Sequence, residues 1–156
     1  MKIKYYIVLS VCFLLTISGC GGNKNPDGRV DVTGTISLNG KLMDEIAGVV
    51  VFDSVNGEPT NSGSAPILKG RFHMTGNAAP KPGKFIVRIT GLDYYDKRTN
   101  ARRTAETTGS DEMIMQVIPN EFNVNSNIEF EVVKGKRNIF NYNVITDFKP
   151  ARITKK

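Results

Sequence analysis

Histidine, cysteine and tryptophan are scarce in this chain: its 156 residues hold one histidine, two cysteines and no tryptophan. Each shortage excludes a chemistry. With His73 alone, neither a histidine-based catalytic triad nor a multi-histidine metal centre can be assembled. Cys12 lies inside the apolar N-terminal run and Cys20 at its end, so the chain beyond residue 20 has no thiol, and packing rather than disulfides must hold it. No segment shows a sustained helical period, no internal repeat or low-complexity tract occurs, and neither charge sign forms a dominant block. Lysine and arginine number 21 against 15 aspartates and glutamates, a formal net charge of +6, too mild a balance to point to nucleic acid. The longest apolar run, Tyr5 to Thr16, falls short of the roughly 20 residues that cross a bilayer as a helix.

What is present begins with that run. Lys2 and Lys4 give a positive start, Tyr5 to Thr16 an apolar middle, and Ser18-Gly19 the small residues a signal peptidase needs beside its cut. Ile17-Ser18-Gly19-Cys20 resembles the bacterial lipobox, in which the cysteine thiol takes a diacylglycerol and the freed amine is usually acylated as well. The resemblance implies that residues 1–19 are a lipoprotein signal peptide and that Cys20 is the lipidated first residue. The protein would then be anchored to a membrane of the bacterial cell envelope, on the periplasmic face or at the cell surface. An ordinary secretory signal, with Cys20 incidental, is the competing reading. Burying acyl carbons is worth about 0.8 kcal/mol per methylene, so one chain holds marginally and two or three hold durably. Losing Lys2 and Lys4 lowers the net charge from +6 to +4, which suits weak attraction to anionic envelope surfaces.

Residues 20–29 carry no large apolar side chain beyond Cys20 and read as a lipidated cysteine with a flexible tether. Residues 30–146 read as one domain, long enough to bury most of its apolar surface. Val30, Val32, Ile36 and Leu38 alternate with polar residues as in a half-buried strand, and Asn39-Gly40 ends it in a tight turn. Ala47 to Phe52 is a short apolar run rich in valine, a second strand. Val55 to Pro66 has a loop composition. Ile67-Leu68-Lys69 and Arg71 to Met74 flank Gly70 as a hairpin or a strand with a bulge would, with Phe72 and Met74 inward and His73 outward. Phe85, Val87 and Ile89 alternate clearly, whereas Gly91 to Gly109 breaks the rhythm and reads as an excursion from the sheet. Met113 to Ile118 is a short strand or a helical turn. Ile128, Phe130 and Val132, then Phe140, Tyr142 and Val144, alternate on either side of Gly135-Lys136 and predict a terminal hairpin. Residues 147–156 form a basic C-terminal tail. The pattern predicts an all-β domain built as a single antiparallel sandwich.

Three stretches together carry a resemblance: Val32-Thr33-Gly34-Thr35-Ile36-Ser37-Leu38-Asn39-Gly40-Lys41-Leu42, then Gly70-Arg71-Phe72, then Pro82-Gly83-Lys84-Phe85-Ile86-Val87. They resemble the carboxypeptidase regulatory-like domain, a seven-stranded transthyretin-like (Ig-like) sandwich. Leu68-Lys69 stands where that family usually carries aspartates. The stretch Ile118 to Asn123, with Ile128 to Val132 and Asn138 to Val144, is similar to small bacterial lipoproteins that carry this domain directly behind a lipobox. The resemblance implies a membrane-anchored binding or structural module. Hydrolases and intradiol dioxygenases of similar fold require more than one histidine, which His73 alone cannot supply.

No cofactor is expected, no catalytic residue stands out, and the carboxylates at Asp93 and Asp96 or at Asp111-Glu112 lack the spacing of a calcium loop. Lys97, Arg98, Arg102 and Arg103 form a basic cluster beside Tyr94 and Tyr95. An exposed loop of this kind could grip an anionic envelope polysaccharide, a lipid headgroup or another envelope protein, with the rings as stacking faces, or could simply be solvated. The partner expected from Cys20 is membrane lipid. The alternative from another class is an accessory hydrolase or glycan-processing protein that uses Glu106, Asp111 or Glu112, which would require those carboxylates in one concave pocket.

Overall fold

Strand alternation decides which side chains meet, and two sheets result. The computed structural model describes residues 25–96 and 112–147. Among them are nine strands: β1 (Val32–Leu38), β2 (Lys41–Leu42), β3 (Ala47–Ser54), β4 (Gly63–Ile67), β5 (Arg71–Met74), β6 (Gly83–Asp96), β7 (Glu112–Gln116), β8 (Ile128–Val132) and β9 (Asn138–Val144). The helical elements among the described residues are single 3-10 turns. In the first sheet β1 is central, flanked on one edge by β2 and β5 and on the other by β9; in the second, β4, β3 and β6 follow in order, and β7 and β8 share the remaining edge of β6.

One core lies between the sheets. Val32, Ile36, Phe72, Met74, Phe140 and Val144 face it from the first sheet, and Val50, Phe52, Ile67, Phe85, Val87 and Ile89 from the second. Phe52 is its hub: its ring centroid lies 6.3 Å from Phe72 and 5.6 Å from Phe140 across the gap, and 6.0 Å from Phe85 and 5.5 Å from Phe130 within its own sheet. The inward positions expected for Val32, Ile36, Phe72, Met74, Phe85, Val87 and Ile89 are buried, and His73 points outward. Asn39-Gly40 turns at φ 50° and 83°, and Lys69-Gly70 at φ 50° and 70°, the left-handed pair that a two-residue turn between strands requires.

Four expectations need correction. The sandwich is not wholly antiparallel, because β9 pairs with β1 in parallel from Val32↔Asn138 to Leu38↔Val144. For the same reason β8 and β9 are not a hairpin: β8 pairs with the first half of β6 and β9 crosses to the other sheet. Asn138 makes that crossing. Its buried side chain accepts from the Val133 N–H and donates to the carbonyls of Val133 and Lys136, so the turn is held by an amide rather than by a strand ladder. Gly91 to Asp96 is no excursion but the outer half of β6, paired with β7 from Leu92↔Gln116 to Asp96↔Glu112. Finally, Gly63 to Ile67, expected within a loop up to Pro66, is strand β4; it is an edge strand, where proline costs no ladder bond.

The core is closed at both ends. Met43, Ile46, Val117 and Ile118 are buried beyond the tip of β1 and around Gly91. At the other end Pro80 and the Ala78 carbonyl lie against Gly63, and the Val30 N–H donates to the Pro80 carbonyl at 2.9 Å. This second end, where the chain enters β1, also holds the start of β6 and the β8–β9 turn, since Gly83 pairs with Val132 and Val32 with Asn138.

Candidate functional site

The entry end is where polar side chains converge. Asn25 is only 9% exposed. Its amide donates to the Asp31 carboxylate at 2.9 Å, and its carbonyl oxygen accepts from the Gly76 N–H at 2.6 Å and from the Thr75 hydroxyl at 3.4 Å. The same carboxylate faces His73, 3.8 Å away and half exposed. The Asn25 amide, foremost, holds the Asp31 carboxyl below its usual 3.8. Four residues on, the Arg29 guanidinium donates to the carbonyls of Thr60 at 2.8 Å, of Ser62 at 3.3 Å and of Ala79. Asn25 and Arg29 therefore belong to the domain, although composition placed them in the tether. Nothing in their immediate neighbours announces this, because their partners lie up to 51 positions away.

Beside this end is an open recess of about 280 Å³ lined by Asp53, Ser54, Gly57, Glu58, Pro59 and Ser62. Its two carboxylates are engaged. Asp53 pairs with the Arg88 side chain, which also donates to the Asn123 and Val124 carbonyls, and Glu58 accepts from the Asn61 amide. Among the described residues no three His, Cys, Asp or Glu side chains come together as a metal-binding set.

The residues singled out from the sequence are scattered relative to these features. Cys20, Lys97, Arg98, Arg102, Arg103, Glu106 and Asp111 lie outside the described residues. Tyr94 sits on β6 opposite Ile114, and Glu112 begins β7 opposite Asp96. Tyr95 cannot serve as an exposed stacking face: it is 3% exposed, because it continues the inward register of Phe85, Val87, Ile89 and Gly91, two residues beyond the equally buried Asp93. Both of these inward polar side chains are engaged with neighbours. The ends of the basic segment, Asp96 and Glu112, lie at the opposite end of β6 from Gly83, and so at the opposite end of the domain from Asn25. No helix among the described residues is long and apolar enough to cross a membrane. No protein-family model, curated protein or solved structure matches the chain.

Proposed function

We infer that this chain is a lipid-anchored protein of the bacterial cell envelope whose two-sheet domain is a non-enzymatic binding or structural module. The observation that carries this reading is the sequence from Lys2 to Cys20, an export signal ending in a lipobox-like Ile-Ser-Gly-Cys, followed at once by a domain in which Asn25 is already pinned. A protein built this way is held by its first residue and works as a displayed surface. The carboxylates of the recess are engaged, Asp53 with Arg88, which also holds the 123–124 carbonyls, and Glu58 with Asn61 inside the 55–62 loop, and this favours a structural role over proton transfer. As for the finer fold, we read β1, β3 to β6, β8 and β9 as the seven strands of a transthyretin-like sandwich of the carboxypeptidase regulatory-like kind. In that reading β2, of two residues, and β7, which pairs only with the outer half of β6, are additions.

Mass spectrometry of the mature N-terminus tests the anchor. The expected first residue is Cys20 carrying acyl chains, and Cys20→Ser is expected to leave the precursor uncleaved or release a soluble protein. An unmodified mature N-terminus sinks the reading.

A further inference from the structure

The place where the chain enters the domain fixes more than attachment. Cys20 is separated from the pinned Asn25 by four residues, and five residue steps span at most about 18 Å even when fully extended. The domain is longer than that along β6, whose 14 residues cover roughly 45 Å. An anchor so short at one end leaves that end close to the bilayer. The surface found there is basic. Lys134, Lys136 and Arg137 are exposed on the β8–β9 turn, next to Asn138, which pairs with Val32. Lys81 lies on the segment entering β6, and Lys84 is exposed one residue into it. None of these five is in an ion pair with another described residue. The acids nearby are Asp27, Asp31, held by Asn25, Asp53, paired with Arg88, Glu58, held by Asn61, and Glu131, which stands opposite Lys84 on the outer face.

We propose that this entry end docks on the anionic membrane surface to which Cys20 is anchored, with the Lys134-Gly135-Lys136-Arg137 turn and Lys81 facing the headgroups, so that the β6–β7 end points away from the membrane. The proposal rests on lipidation at Cys20 and adds an orientation to it. Exposed cations act on an anionic leaflet only within about a screening length, roughly 8 Å at 0.15 M salt, and the short link lets this turn come within that range. Each cation near such a surface shifts the ratio of docked to free orientations by roughly five-fold, so three on one turn suffice to fix an orientation that the link alone leaves loose. The consequence is that Asp96 and Glu112, between which the sequence carries Lys97, Arg98, Arg102 and Arg103, lie on the side of the envelope space rather than of the anchoring lipids.

The test uses the purified full-length mature protein in vesicles of phosphatidylcholine with or without phosphatidylglycerol. With Cys20 acylated, an introduced cysteine is the only reactive thiol, so a fluorophore can be placed at Asn77→Cys on the entry end or Lys41→Cys on the far end. Energy transfer to a headgroup acceptor then reads the height of each. In anionic vesicles, transfer from position 77 is expected to exceed that from position 41 several-fold. The contrast should shrink in neutral vesicles, at about 1 M salt, where the screening length is about 3 Å, and when Lys134, Lys136 and Arg137 are changed to Gln. In that variant the protein should remain vesicle-bound. The N-terminal peptide of the same preparation is weighed. Acylated protein with equal transfer from both positions overturns the docking alone; protein without acyl chains overturns the anchor, and the docking with it.

Discussion

Removing the ring of Phe52 is the most direct test of the two-sheet core. Its side chain is fully buried, and its ring meets four others, two from each sheet, at centroid distances of 5.5 to 6.3 Å. Phe52→Ala forfeits the burial of a phenyl group and leaves a cavity bounded by rigid rings that cannot collapse far, so the cost should lie at the upper end of about 3 to 5 kcal/mol. The two edge-on contacts with Phe130 and Phe140 add up to about 1 kcal/mol each where the geometry is kept. Against a total stability of roughly 5 to 15 kcal/mol, this is a large share of what holds the fold. In a domain of this size each kcal/mol shifts the melting temperature by about 4 °C, so a fall of roughly 12 to 20 °C is expected. Calorimetry or urea unfolding measures it, with Phe52→Leu as a milder change and Ile86→Thr, on the outer face of β6, as the control. A Phe52→Ala variant no less stable than Ile86→Thr would refute the assignment of inner and outer faces. Phe85→Ala should approach Phe52→Ala in cost, whereas Phe130→Ala, only half buried, should cost about 2 kcal/mol.

Other outcomes follow from single atoms. A Cβ at Gly34 would lie 1.7 Å from the Phe140 carbonyl oxygen and 2.7 Å from the Phe72 ring, so Gly34→Ala should force β9 away from β1 and cost more than the usual 1 to 3 kcal/mol of overpacking; unchanged hydrogen exchange along β9 would count against that pairing. The Asp31 carboxyl is held below its ordinary value in the folded protein, so the stability it contributes is present above about pH 4 and is lost as pH falls through the lowered value. Asp31→Asn should therefore flatten the acid limb of a melting-temperature profile and leave the limb above pH 5 parallel to the wild type; an identical acid limb would show that the Asn25 contact does not favour the carboxylate. Replacing Lys97, Arg98, Arg102 and Arg103 with Gln should abolish salt-sensitive binding of anionic envelope polysaccharide while moving the melting temperature by no more than a few degrees. Binding that persists in that variant at 0.15 M salt would place the contact on another surface.

Strand positions were legible in the sequence wherever apolar and polar residues alternate, because a period of two marks one face of a strand whatever its partner is. Val32 to Leu38, Arg71 to Met74 and Phe85 to Thr90 are of this kind. Partners were not legible, since alternation says which face is buried and nothing about which edge is paired. Gly135-Lys136 between two alternating runs looks like the tip of a hairpin, yet Asn138 satisfies the Val133 N–H and two carbonyls by itself and frees β9 to run beside β1. The outer half of β6 was hidden because Asp93 and Tyr95 occupy its inward positions, where the pattern requires apolar residues. Pro66 and Ser64 hid β4 in the same way, although both point outward from an edge strand. At the entry end, Asn25 and Arg29 stand in a sequence of linker composition because their role is set by hydrogen bonds to Gly76, Thr60 and Ala79, contacts that only the folded chain creates.

These positions also bear on what the basic segment can meet. Asp96 and Glu112 pair at the end of β6 farthest from Gly83, while Asn25 is fastened beside Asp31 and Gly76 at the other end. If Cys20 is in the bilayer, Asp96 and Glu112 approach the same lipids only when the domain lies on its side. Lying on the outer face of the β3–β6 sheet would press Val49, Leu92 and Ile114 toward the headgroups and lift the Lys134 to Arg137 turn from the surface. The upright arrangement keeps that turn at the anionic surface and leaves Val49, Leu92 and Ile114 in the aqueous envelope. An apolar strip on the strands that the sequence joins through a segment with four cations suits a surface-exposed partner carrying acidic groups better than it suits the lipid that holds the anchor. A ligand screen should therefore begin with acidic envelope polymers presented in solution, and vesicles should serve as the test of orientation.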